Sequence, residues 1–268
     1  MKLWTSLAGA AAVVLAAASA HAQIDSIKLG TEGAYPPYNY YDASGQLIGF
    51  EIDLGNELCR RMEVECEWVA QDWDGIIPAL LNGRYDAIIA GMSRTDERRE
   101  QIAFSNAYTV TPAWFVASAE SDLAGLETLE ETMAALEGKT IGVQTATIHE
   151  NFLREELGDG VDIRVYDTQD NLNLDLVAGR LDAGLADATS WQAFLDTEDG
   201  AGFAHFGPGL TGADFPVFGE GVGVGLRQGD TELMAMFNDA ICSMIEDGTL
   251  AAMTTEWFGV DTSTPCEQ

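Results

Sequence analysis

The chain has 268 residues, 47% of them hydrophobic and 9% aromatic, which is the make-up of packed cores and not of a disordered or repetitive polymer. Its 44 acidic residues against 13 basic ones give a formal charge of -31, and a surface that acidic repels nucleic acid and anionic lipid, excluding both as partners. The same charge favours solubility, while any long-range pull on cationic molecules is weakened by salt.

The N-terminus has the layout of an export signal. Lys2 supplies the positive charge, residues 7–18 form an almost unbroken apolar run, and Ala20-His21-Ala22 is a small-x-small cleavage pattern. The run is shorter than the roughly 20 residues of a transmembrane helix, so an anchor is the poorer interpretation. Residues 1–22 are expected to be removed, leaving a mature chain from about Gln23. No later stretch has membrane-spanning length, and the exported product is expected to be soluble.

From there apolar periodicity alternates between the strand and helix repeats. Residues 26–30 read as a strand, and a loop with Tyr35-Pro36-Pro37-Tyr38 follows. Residues 51–62 carry Ile52, Leu54, Leu58 and Met62 at helical spacing. Strands are expected at 66–70 and 86–90 around a short helix at 75–81. After residues 113–138 the alternation resumes, with strands at 140–143, 161–166 and 181–185 and helices at 147–157, 171–178 and 190–195. A strand at 221–226 and helices at 231–245 and 249–257 close the chain. Such repeats predict α/β units on mostly parallel sheets, and two series of them predict two lobes. Gly221-Val222-Gly223-Val224-Gly225 lacks the spacing of a dinucleotide loop and fits a buried strand.

Four cysteines, Cys59, Cys66, Cys242 and Cys266, lie in the mature part. In an exported chain an even count points to disulfides. Three connectivities are open, with the sequence-local pairs favoured. A zinc site is a poor match, since no Cys-x-x-Cys occurs and only His149 and His205 follow the signal.

Seven stretches then occur in a recognisable order. They are Gly30-Thr31-Glu32-Gly33-Ala34-Tyr35-Pro36-Pro37-Tyr38, Gly49-Phe50-Glu51-Ile52-Asp53-Leu54, Asp72-Trp73-Asp74-Gly75-Ile76-Ile77-Pro78, Asp86-Ala87-Ile88-Ile89-Ala90-Gly91-Met92-Ser93, Thr95-Asp96-Glu97-Arg98-Arg99, Gly142-Val143-Gln144 and Ala178-Gly179-Arg180-Leu181-Asp182-Ala183. Together they resemble the periplasmic solute-binding proteins of polar amino acid ABC transporters, in the branch that binds lysine/arginine/ornithine, histidine or opines. The resemblance covers residues 26–260, and the Cys59–Cys66 spacing also matches that branch.

The resemblance implies the two-lobe α/β fold of a type II periplasmic binding protein, with a ligand cleft between lobes joined by two crossover strands. Lobe 1 would comprise 23–110 and 217–268, and lobe 2 would comprise 111–216. It implies a monomer in the periplasm that takes an amino acid-type ligand to an ABC permease, with no cofactor and no metal. Arg98 would grip the ligand carboxylate through paired hydrogen bonds, aided by the Ser93 hydroxyl and by backbone N–H groups at Ala146 and Thr147. Asp187 and the Gly91 carbonyl would accept from the α-ammonium. Glu32, Tyr35 and Trp73 would meet the side chain, the carboxylate neutralising a distal cation and the aromatic faces adding cation–π attraction.

The same residues have plainer readings. Asp187 also fits a helix cap, Tyr35 and Trp73 fit a core, and Arg98 fits a surface cluster with Arg94 and Arg99. The sequence also departs from several relatives: Ala90-Gly91 replaces a serine pair, and the loop at 143–147 is one residue shorter than in some members. These features lean toward the opine binders and leave a basic amino acid as first choice, an opine as second. An enzyme resembling cyclohexadienyl dehydratase is disfavoured, because Lys28 and Lys139 lie outside the motifs and no nucleophile triad or metal set occurs. A receptor-linked sensor would look the same in sequence as a transport component.

Overall fold

The computed structural model describes residues 24–267; the expected export signal and its cleavage site lie outside the described residues. Strand β1 (Ser26–Thr31) leads into a small antiparallel sheet of β2 (Ala34–Tyr35), β3 (Asn39–Tyr41) and β4 (Leu47–Ile48). Helix α1 (Phe50–Met62), β5 (Glu65–Ala70), α2 (Ile76–Leu81), β6 (Ala87–Ile88), the single turn α3 (Asp96–Arg99) and β7 (Ala103–Thr109) follow. Next come β8 (Ala113–Ser118), α4 (Leu129–Ala135), β9 (Thr140–Gln144), α5 (Ile148–Phe152), β10 (Asp162–Tyr166) and α6 (Gln169–Val177). The chain then forms β11 (Ala183–Asp187), α7 (Ala188–Leu195), β12 (Phe203–Leu210), β13 (Val222–Leu226), α8 (Thr231–Glu246) and α9 (Thr249–Phe258).

These elements build two lobes. One sheet has the order β5-β1-β6-β13-β7 and the other β10-β9-β11-β8-β12. The backbone crosses between them twice, from β7 to β8 and from β12 to β13. In each sheet four strands run in one direction and one, β13 or β8, runs against them, so the sheets are mostly parallel with a single reversed strand. The antiparallel strands include those that carry the crossings: a strand entering from the other lobe need not run in the direction that a βαβ connection imposes.

The spacing that predicts α1 puts Leu54 and Leu58 into a core with Leu29, Val224, Phe237 and Ile241. On the other face of that sheet Ile76, Leu80, Tyr85 and Ile88 pack together. Phe115, Ile141, Val143, Phe152 and Leu185 form the corresponding core of the second lobe. Alternating glycines in β13 have a steric reason. A Cβ at Gly223 would lie 2.7 Å from Cδ of Arg94, so the strand admits the arginine only where side chains are missing.

Residues 113–138, where the sequence shows no alternation, hold β8 and α4 of the second lobe. Two expectations need correction. The strand expected at 86–90 is only two residues long, because the backbone turns away into Gly91, at φ 62°. The helix expected at 147–157 is α-helical to Phe152 and then widens into a π turn at Leu153–Leu157. Among the described residues no helix is long and apolar enough to cross a membrane.

Both sequence-local disulfides are present, Cys59–Cys66 joining α1 to β5 and Cys242–Cys266 joining α8 to the C-terminal tail, with Cα separations of 6.2 and 5.1 Å. The tail lies along the first crossing. Val110 N donates to Thr262 O at 3.0 Å, and the Thr264 hydroxyl donates to Ala107 O at 2.6 Å. Glu267 pairs with buried Arg94, whose Nε also donates to Glu220 O at 3.1 Å beside the second crossing. Replacing Cys242 and Cys266 by serine frees a loop spanning 24 residues and should cost about 3 kcal/mol of stability, read as a lower unfolding midpoint. Amide exchange at Val110 should accelerate in the same variant, and unchanged exchange would show that the tail holds its place without the bridge.

Candidate functional site

A turn beyond β6 brings the first charged group to the cleft. Thr95 caps α3, its hydroxyl accepting from Arg98 N at 3.3 Å, and this aims Arg98 inward. Arg98 is 8% exposed, and its guanidinium donates to Ser93 O at 3.0 Å and, at 3.5 Å, to Ala146 O across the cleft. It lies over the Trp73 ring, 5.2 Å from the centroid. Among the described residues no carboxylate comes within ion-pair distance of it. Burial lowers its pKa to about 10, against the pull of Glu97 and Asp187, so the group stays charged at neutral pH without a contact ion pair. Arg94 and Arg99 are not its equals: Arg94 pairs with Glu267 and Arg99 with Glu220.

The acidic groups face it. Asp187 ends β11 at the cap position of α7, yet its side chain makes no capping hydrogen bond. One carboxylate oxygen, Oδ2, instead accepts from the Tyr35 hydroxyl of the other lobe at 2.7 Å. Glu32, just past β1, is buried, and its Oε1 accepts from Gln144 Nε2 of the second lobe at 2.6 Å. Burial pushes the Glu32 carboxyl up to about 7, against the pull of that hydrogen bond. Tyr38 and Thr189 hydroxyls meet at 2.7 Å, and Trp73 Nε1 donates to Ala146 O at 3.2 Å. The lobes are thus closed on each other through polar side chains.

Eight of the nine expected positions, Glu32, Tyr35, Trp73, Gly91, Ser93, Arg98, Thr147 and Asp187, line one cavity. Ala146 does not line it. Its N–H, expected to face a ligand, donates to Glu150 Oε2 at 2.7 Å, and its carbonyl serves Trp73 and Arg98 instead. Glu150 sits one turn along α5, the place from which a carboxylate reaches back to free N–H groups. Thr147 is the cap of α5, donating to Gln144 O at 2.7 Å and accepting from Glu150 N at 3.2 Å. Trp73 and Tyr35 are buried, but at the cavity wall.

Four further lining residues, Ala90, Gln144, Ile148 and His149, carried no role in the sequence. Gln144 stood inside a quoted motif, and only the tertiary fold shows that it meets Glu32. His149 is 4% exposed, and its Nε2 has no hydrogen-bond partner among the described residues. Behind the wall Glu51, fully buried in the first turn of α1, accepts from Asn39 Nδ2 at 2.7 Å, Gly91 N at 2.6 Å and the Tyr108 hydroxyl. Asn39 in turn accepts from Gly33 N at 2.7 Å. One carboxylate therefore fixes both the Gly91 turn and the loop carrying Glu32. In sequence it looks like an ordinary acidic residue at a helix start.

A fixed buried cation opposite two carboxylates, with aromatic faces between, suits a small zwitterion with a polar or cationic far end. Residues 27–260 match the bacterial extracellular solute-binding proteins, family 3. The chain is 40% identical over 258 residues to an L-arginine-binding protein of Pseudomonas aeruginosa, covering 96% of each. It is 40% identical over 245 residues to the lysine/arginine/ornithine-binding periplasmic protein of Escherichia coli, covering 90% of this chain and 91% of that one. A solved periplasmic His/Glu/Gln/Arg/opine family-binding protein from Silicibacter pomeroyi, in complex with lysine, aligns with a TM-score of 0.76 at 40% identity over 89% of this chain and 99% of its own. The two-lobed chain, with its buried arginine in the cleft, belongs to the bacterial extracellular solute-binding proteins, family 3.

Proposed function

We propose that this chain is the periplasmic substrate-binding component of an ABC importer, that it binds a basic amino acid (arginine, lysine or ornithine), and that it hands the ligand to its permease without altering it. The observation that carries this is Arg98, a buried cation in the cleft with no carboxylate of its own. The ligand α-carboxylate is its counter-ion, gripped by two parallel hydrogen bonds with Ser93 and Thr147 alongside. Asp187 and the Gly91 carbonyl take the α-ammonium. Tyr35 and Trp73 flank the aliphatic chain, and Glu32 meets the distal cation.

On this proposal the lobes divide at residues 110/111 and 216/217, and the two crossings act as the hinge. The export signal is removed near Ala22, and the protein works as a monomer. A ligand that touches Arg98 and Glu32 of one lobe and Asp187 of the other is bound fully only when they close. The opine alternative draws support from Gly91, where a Cβ would face Tyr35 at 3.7 Å and where its absence leaves room for a substituent on the α-nitrogen. A lyase on the same fold draws its support from Glu32, whose pKa of about 7 suits a general acid. Ligand recovered unchanged after long incubation favours binding; release of a product favours the enzyme.

Arg98→Ala should weaken binding of L-arginine by about 2–5 kcal/mol in calorimetric titration, since it strands the ligand carboxylate in a buried site. Affinity within twofold of the natural protein would remove Arg98 from the site. A second expectation concerns pH. With Glu32 titrating at about 7 in the ligand-free protein, a cationic ligand must displace its proton below that pH. The Kd for arginine should then rise as pH falls from 7 toward 5, by at most about tenfold per unit. The Glu32→Gln variant should bind arginine less tightly and lose most of this dependence.

A further inference from the structure

His149 is unexplained by the site described so far. It lies on α5 at the cavity wall, it is 4% exposed, and its Nε2 is buried without a hydrogen-bond partner among the described residues. A buried polar atom left in that state is costly, so a partner is expected in the loaded state. The neighbour it faces is Asp187 Oδ1, 3.8 Å away, too far for a direct hydrogen bond. The other Asp187 oxygen is already engaged by the Tyr35 hydroxyl at 2.7 Å. One nitrogen atom set about 3 Å from each would bridge Nε2 and Oδ1, and hydrogen bonds of that length are ordinary.

We infer that His149 is a specificity-determining residue whose unprotonated Nε2 accepts a hydrogen bond from the ligand α-ammonium, sharing that group with Asp187. The inference rests on the proposal that the cleft takes an α-amino acid. The protonation state agrees with it: burial keeps the imidazole below the usual histidine range, with Arg98 adding to the effect and Asp187 opposing it. Its aromatic neighbour, the Phe218 ring 6.1 Å away, offers no proton. A neutral ring with its hydrogen on Nδ1 presents Nε2 as an acceptor.

The test pairs a deletion in the protein with a deletion in the ligand. Dissociation constants are measured for L-arginine and L-lysine, and for 5-guanidinopentanoate and 6-aminohexanoate, which lack only the α-amine. His149→Leu should weaken binding of the two amino acids about tenfold and leave the two des-amino ligands within twofold. His149→Gln, which restores an acceptor oxygen, should recover part of the loss. Equal losses for both ligand types, or no loss for the amino acids, would overturn the assignment. A natural protein that binds neither amino acid would instead overturn the parent proposal. Nitrogen NMR of the loaded natural protein gives an independent reading that needs no variant: an unprotonated Nε2 supports the inference, and a protonated one contradicts it.

Discussion

Much of this structure can be understood from the cost of holding Arg98 where it is. A guanidinium on a residue only 8% exposed loses most of its hydration, and the groups that replace it here are two backbone carbonyls and the face of Trp73. Carbonyl dipoles and a ring quadrupole offset part of that loss, but they bring no negative charge. Everything needed to aim the side chain is nonetheless built: a threonine cap, a one-turn helix and a strand that ends after two residues. A chain that invests so much structure in an unpaired cation leaves its stability open to an anion that arrives from outside.

The acidic groups across the cavity, Asp187 on the other lobe and Glu32 on the same one, are themselves only half satisfied. Asp187 is held by Tyr35 through one oxygen, and Glu32 by Gln144 through one oxygen. Both bonds run between lobes. Closure therefore has a polar scaffold of its own, yet two acidic groups and one basic group remain under-compensated inside it. On the proposed function a zwitterion with a distal cation would supply the missing charges in the right order, and binding and closure would be one event. The wall behind is stiffened by Glu51, which ties the Gly91 turn to Asn39 and so to the Glu32 loop. The tail, stapled by Cys242–Cys266, braces the strand from which the first crossing departs.

The legible parts of the sequence were those written in local periodicity or in a short motif. Helix α1 declares itself through Ile52, Leu54 and Leu58, and β13 through its valine alternation. Strand β8 does not, because Ala113 to Ser118 is buried on both faces and lacks any two-residue alternation to read. The crossings are equally silent, since an antiparallel strand arriving from another lobe leaves no local mark. A motif does not by itself give a residue its role: Gln144, inside one, and His149, outside all of them, gain their meaning only from partners 112 and 38 positions away, Glu32 and Asp187. The N–H expected of Ala146 is taken by Glu150, four residues further on, and nothing in the local sequence says which group wins it.

The claim on which the rest depends is that the ligand carboxylate answers Arg98, and decarboxylation isolates it. L-arginine and agmatine share the guanidinium, the aliphatic chain and the amine, and differ by that one group. Calorimetric titration of ligand-free mature protein with both, at pH 7.5, is the direct measurement. The expected result is that arginine binds at least about thirtyfold more tightly than agmatine, the equivalent of 2 kcal/mol or more. Equal affinity for the two would mean that Arg98 does not hold a carboxylate, and the account of the cleft given above would fail with it.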